Sequence, residues 1–109
     1  MEDKFVLFIN TINLILLPPK EIGISYIASI QNQLEELEGD YYTFLHKDYI
    51  LEFLKKGYLS HPAIDKIERI RLKISEIRSS YWNTQDFIDH YEWVEIRSLT
   101  IDLIKDYLD

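Results

Sequence analysis

Apolar residues recur along this chain at the three-and-four spacing of helices, and no stretch alternates apolar and polar long enough to make a strand. The pattern predicts an all-α fold, a compact bundle of about five helices in a single domain spanning residues 1–109. The first helix is expected from Asp3 to Leu17, apolar on most sides and stopped by Pro18-Pro19. The second opens at Pro19, a favoured first-turn residue, carries Ile27, Ile30, Leu34 and Leu37 on one stripe, and stops at Gly39. Asp40 then caps a third helix rich in aromatic residues (Tyr41, Tyr42, Phe44, Tyr49 and Phe53), which Gly57 closes after Lys55 and Lys56. A fourth starts near Ser60-His61-Pro62 and presents a seam of Ala63, Ile67, Ile70, Ile74 and Ile77.

Capping chemistry marks the rest of the chain. With Asn83 as cap of a short helical turn, Trp82 precedes the cap and Phe87 takes the fourth position, the spacing of a hydrophobic staple. Asp89-His90-Tyr91-Glu92 reads as a capping box, with Ile88 and Trp93 in the staple positions, and a final helix runs on to about Leu108. At about 100° per residue, Trp93, Ile96, Leu103, Ile104 and Tyr107 share one face of that helix. Val94, Ile101 and Leu108 form an apolar strip beside it, which suits either a central position in the bundle or a dimer seam and leaves the oligomeric state open.

Composition narrows the class. A chain of 109 residues with 47% hydrophobic and 28% charged residues makes one globular domain with a real core. The absence of cysteine excludes disulfides, thiolate metal sites and cysteine nucleophiles, and fits a cytoplasmic protein. The apolar run Phe5 to Leu17 is too short to span a bilayer and holds Asn10, Thr11 and Asn13. Glu2 and Asp3 stand where a signal peptide needs basic residues, so a core helix and no membrane association are expected.

Charge says more about partners than about fold. Nineteen acidic residues against twelve Lys and Arg leave a formal charge of -7, which repels nucleic acid and attracts basic partners. Glu92, Glu95, Asp102, Asp106 and Asp109 fall on one face of the final helix, and Glu35, Glu36, Glu38 and Asp40 form a second cluster. Solvated outer faces are commonly charged. Two like-charged clusters nonetheless repel each other at a cost in stability, so a docking surface for a cationic protein is the sharper reading. Its partner-binding residues are Glu35, Glu36, Glu38, Asp40, Glu92, Glu95, Asp102 and Asp106.

The basic residues of the fourth helix separate on the wheel. Lys66, Arg69 and Lys73 flank one side of the isoleucine seam and Arg71 and Arg78 the other, so intramolecular ion pairs are expected rather than a nucleic-acid patch. Leu72 lies on the outer face with no core role in view. His46, His61 and His90 share no metal-ligand spacing, and no phosphate-binding glycine loop or nucleophile elbow is present. No catalytic, cofactor-binding or metal residue is assigned, and a non-enzymatic binding protein is expected. Trp82 and Trp93 read as structural, while one or two of Tyr41, Tyr42, Tyr49 and Tyr58 are candidate contact anchors.

The stretch Ser80-Tyr81-Trp82-Asn83-Thr84-Gln85-Asp86-Phe87-Ile88-Asp89-His90-Tyr91-Glu92-Trp93-Val94-Glu95-Ile96-Arg97 resembles small acidic helical immunity proteins of bacterial contact-dependent growth inhibition and related polymorphic toxin systems. The likeness lies in the succession Trp-Asn, Asp-Phe, Glu-Trp and Ile-Arg ahead of a final helix, and it covers about the last third of the chain. It implies a protein that protects its own cell by binding a cognate toxin domain, commonly a nuclease, and occluding its active site or substrate surface. The matching Trp82, Asn83, Phe87, Trp93 and Arg97 belong on this reading to the fold, because they fit caps and staples. The acidic clusters would then meet the electropositive cleft of the nuclease. The alternative is a helical adaptor or regulatory protein–protein interaction domain without a toxin partner.

Overall fold

Side chains on the buried stripes decide where each helix runs, and in two places they override the local punctuation. The computed structural model of the chain describes residues 2–20 and 26–108. Among these, six α-helices form an all-α bundle with no strand: α1 (Glu2–Asn13), α2 (Tyr26–Phe44), α3 (Lys47–Lys55), α4 (His61–Ser75), α5 (Thr84–Asp89) and α6 (Tyr91–Leu103). A single 3-10 turn (Ser79–Tyr81) links α4 to α5, and α6 runs on into a π-helical turn (Ile104–Leu108).

The first correction concerns α2 and α3. Gly39 does not end α2 and Asp40 does not cap α3; the helix passes through both to Phe44. Leu34, Leu37 and Tyr41 prolong the inward stripe at helical spacing toward the buried Leu45 just past the helix end, and burying them outweighs the roughly 1 kcal/mol that a mid-helix glycine costs. The cap of α3 is His46, whose imidazole accepts from the Asp48 backbone N–H. Gly57 does close α3 as expected: it adopts φ 80°, and the Tyr58 N–H donates back to the Phe53 carbonyl.

α1 ends at Asn13, four residues before the expected stop. Residues Leu14 to Leu17 turn into the core instead, where the Gln33 side-chain amide donates to the carbonyls of Leu14 and Leu16 at 3.1 and 2.7 Å. The expected opening of the second helix at Pro19 leads into residues 21–25, which lie outside the described residues.

α4 lies between α2 and α6. Its whole seam (Ala63, Ile67, Ile70, Ile74 and Ile77) is buried, as the spacing predicts. Arg71 leaves one flank, donating from Nε to the Tyr42 carbonyl of α2 at 3.0 Å with its guanidinium 4.0 Å from the Tyr42 ring. Lys73 leaves the other flank and reaches Glu95 of α6 at 2.9 Å. Phe5 and Phe8 of α1 pack on Phe53 of α3 with ring centroids 5.1 and 5.7 Å apart.

The corner from Ser79 to Arg97 is built around Trp93. Asn83 caps α5 by accepting from the Asp86 N–H at 2.9 Å, and this places Trp82 and Phe87 edge-on to the fully buried Trp93 ring, at 5.0 and 4.9 Å. The Trp93 indole donates to the Tyr81 carbonyl at 2.9 Å. α6 begins one residue later than the capping box implies, because the cap is His90 rather than Asp89. Arg97 is 8% exposed and donates to the Ile15 carbonyl at 3.2 Å and to the Phe87 carbonyl, so it ties α6 to the ends of α1 and α5.

Val94 and Ile101 are 45% and 50% exposed, so α6 is not enclosed on its second apolar strip. Its buried face is Trp93, Ile96, Arg97, Thr100 and Leu103. Leu72 is exposed on the outer face of α4, as its position predicts. No helix among the described residues is long and apolar enough to cross a membrane.

Candidate protein-docking surface

The acidic residues of α2 do not act as one cluster. At about 100° per residue, Glu35 and Glu38 fall on one shoulder of the helix and Glu36 and Asp40 on the other. Glu35 and Glu38 line a groove of about 470 Å³ together with Gln31 and Leu34; the facing wall is Ser79, Trp82, Asn83 and Thr84. Trp82 is held there by its position just ahead of the Asn83 cap and by its edge-on contact with Trp93, with the Tyr41 ring 6.0 Å away. Burial raises the Tyr41 hydroxyl above its ordinary pKa, so it stays a neutral hydrogen-bonding group beside the groove. Among the described residues no lysine or arginine makes an ion pair with Glu35, Glu36, Glu38 or Asp40.

The acidic residues of α6 meet different fates. Glu95 is bound by Lys73, whose hydrogen bond and charge hold its carboxyl below the ordinary carboxylate range. Asp102 shares a small hollow with Lys66, Arg69, Ile70 and Leu99 across the α4–α6 seam. Glu92 is half-buried at the first turn of α6, Asp106 is exposed in the terminal π-helical turn, and Asp109 lies outside the described residues. Intramolecular pairing of the α4 cations, expected from the sequence, therefore holds for Lys73 with Glu95 and for Arg71 with Glu68 at 3.6 Å. Since α2 and α6 lie on opposite flanks of α4, the eight candidate carboxylates are divided between two regions; Glu35 and Glu38 flank the larger groove, while Asp102 shares its small hollow with Lys66 and Arg69.

The groove joins two carboxylates, an aromatic wall and hydroxyl groups from Ser79 and Thr84. Such a site can receive a guanidinium or ammonium group, charge-paired by the carboxylates and set against the indole. Sequence spacing named the carboxylates but not the groove. Its signal was the Trp82-Asn83 pair: the cap that places the tryptophan also builds the wall opposite α2. Of the candidate tyrosines, Tyr42 and Tyr58 are 60% and 40% exposed, whereas Tyr41 and Tyr49 are half-buried. Among the described residues no group of three or more His, Asp or Glu side chains is placed to hold a metal ion.

Comparison of the chain with known protein families, with characterised proteins and with solved structures finds no match.

Proposed function

We propose that this protein is an immunity protein that binds and neutralises a cognate bacterial toxin domain, a nuclease with a basic surface, by occluding its active site or substrate surface. The observation that carries the reading is the groove between α2 and the Ser79–Thr84 connection, where Glu35 and Glu38 stand without a described cation beside Trp82. A nuclease cleft is lined by cations that bind phosphates, and a rigid helical surface carrying carboxylates is complementary to it. The formal charge of -7 supports the same pairing, because it draws a basic partner in from a distance. The resemblance of residues 80–97 to immunity proteins gives the reading its specific form, and a cytoplasmic site of action follows from it.

The test is a mixture of the purified protein with the toxin domain encoded by the neighbouring gene. A stoichiometric complex that abolishes the toxin's activity, and whose association rate falls steeply with added salt, is the expected result. Absence of a complex would remove the reading. A complex whose association ignores salt would remove the electrostatic part of it.

A further inference from the structure

Two of the three histidines share one structural task. His46 precedes α3 and His90 precedes α6, each in extended backbone, and each accepts at Nδ1 from the backbone N–H two residues on: Asp48 at 3.0 Å and Glu92 at 3.2 Å. An imidazole nitrogen accepts only while it is unprotonated, which places the ring proton on Nε2. In acid, Nδ1 gains a proton, the acceptor becomes a donor facing another donor, and positive charge arrives at the positive end of the helix dipole.

The surroundings of the two rings differ. The Asp48 carboxylate lies 3.8 Å from His46 Nδ1, and Lys4, Tyr42, Tyr49 and Glu52 line the adjoining hollow. Protonated His46 therefore gains a counter-ion as it loses its cap. His90 is held between the rings of Tyr81 and Tyr91, with centroids at 4.1 and 4.8 Å. The charged groups within four residues of His90, or of the tyrosines that flank it, are Arg78, Asp86, Asp89, Glu92 and Glu95; Arg97, farther along α6, is committed to the carbonyls of Ile15 and Phe87. Asn83 engages the Asp86 carboxylate, Gln85 engages that of Asp89, and Lys73 is taken by Glu95. Among the described residues no carboxylate makes an ion pair with His90. The tyrosine faces accommodate either charge state, so the hydrogen bond is what protonation removes.

We infer that His90 is a proton-sensitive latch on the start of α6: the neutral ring caps the helix by accepting from the Glu92 N–H, and protonation removes that bond from a first turn otherwise anchored by the buried Trp93. His46 is no such latch, because Asp48 takes over the ring.

Nitrogen NMR of the whole chain tests this directly. At about pH 8 the His90 ring is expected as the Nε2–H form, and on acidification to about pH 5 the Glu92 amide proton shifts upfield in step with the ring's titration. Asparagine caps helices without titrating, so His90→Asn is the matched control. Over the same interval the folded-to-unfolded ratio of the native chain should fall roughly fivefold relative to His90→Asn, the size of a typical lost cap. His46→Asn should track the native chain. A ring protonated on Nδ1 at neutral pH, or parallel pH profiles for the native chain and His90→Asn, would overturn the inference. Should His90→Asn fail to fold, the tautomer and the Glu92 shift in the native chain decide it.

Discussion

Arg97 is a cation in the core whose partners are backbone carbonyls, those of Ile15 and Phe87, with the Phe87 ring 4.6 Å from its guanidinium. Burial lowers its pKa from the ordinary value, yet the guanidinium stays protonated and supplies a fork of donors that lysine lacks. Arg97→Lys is expected to cost about 2 kcal/mol, because two buried carbonyls lose their donors. The check is a lower denaturant midpoint at unchanged slope. Trp93 separates packing from hydrogen bonding in the same corner. Trp93→Phe keeps an aromatic ring but leaves the Tyr81 carbonyl without its donor, and should cost about 1–3 kcal/mol. Trp93→Ala also opens a cavity between Trp82 and Phe87 and should cost about 3–5 kcal/mol.

At the scale of elements, the two described glycines do opposite things. Gly57 sits at φ 80° in the closing turn of α3, a conformation that strains any residue with a Cβ. Gly39 lies inside α2 with open space where a Cβ would stand. Gly57→Ala should therefore destabilise by about 1–2 kcal/mol. Gly39→Ala should stabilise by about 1 kcal/mol, and thermal unfolding of the pair should show shifts of opposite sign. The α4–α6 pair has its own signature. Lys73 holds the Glu95 carboxyl below its unfolded pKa, so the ion pair's contribution is present at neutral pH and is lost as pH falls through the lowered value. Glu95→Gln should remove that part of the acid dependence, so that native and variant unfolding midpoints converge in acid and in high salt.

For the whole molecule, the division of the acidic residues matters more than their number. Glu35→Gln with Glu38→Gln, and Glu36→Gln with Asp40→Asn, remove the same charge from opposite shoulders of α2. If the groove receives a basic side chain of the toxin, the first pair should slow association and speed dissociation. The second pair should only slow association, by the loss of long-range attraction. Surface-based binding kinetics at two salt concentrations distinguish these outcomes. Equal effects from the two pairs would mean that only the overall field matters and that the groove is not the contact.

The periodicity of apolar residues by itself determined that the chain is helical, that the isoleucines of α4 form a buried seam, and that Asn83 and Gly57 start and stop helices. These are decided within a few residues, by spacing and by the conformations that caps and glycines allow. Only tertiary structure decided that α2 runs through Gly39 and Asp40, since packing of Tyr41 against the distant Trp82 and burial of Leu45 in the core outweigh a local preference. Tertiary structure likewise moved the cap of α6 from Asp89 to His90, where the ring also stacks on Tyr81. The docking surface divides the same way. The number of carboxylates is a property of the sequence, but which of them flank a groove, and which are taken up by a lysine of a neighbouring helix, depends on how α2, α4 and α6 pack side by side.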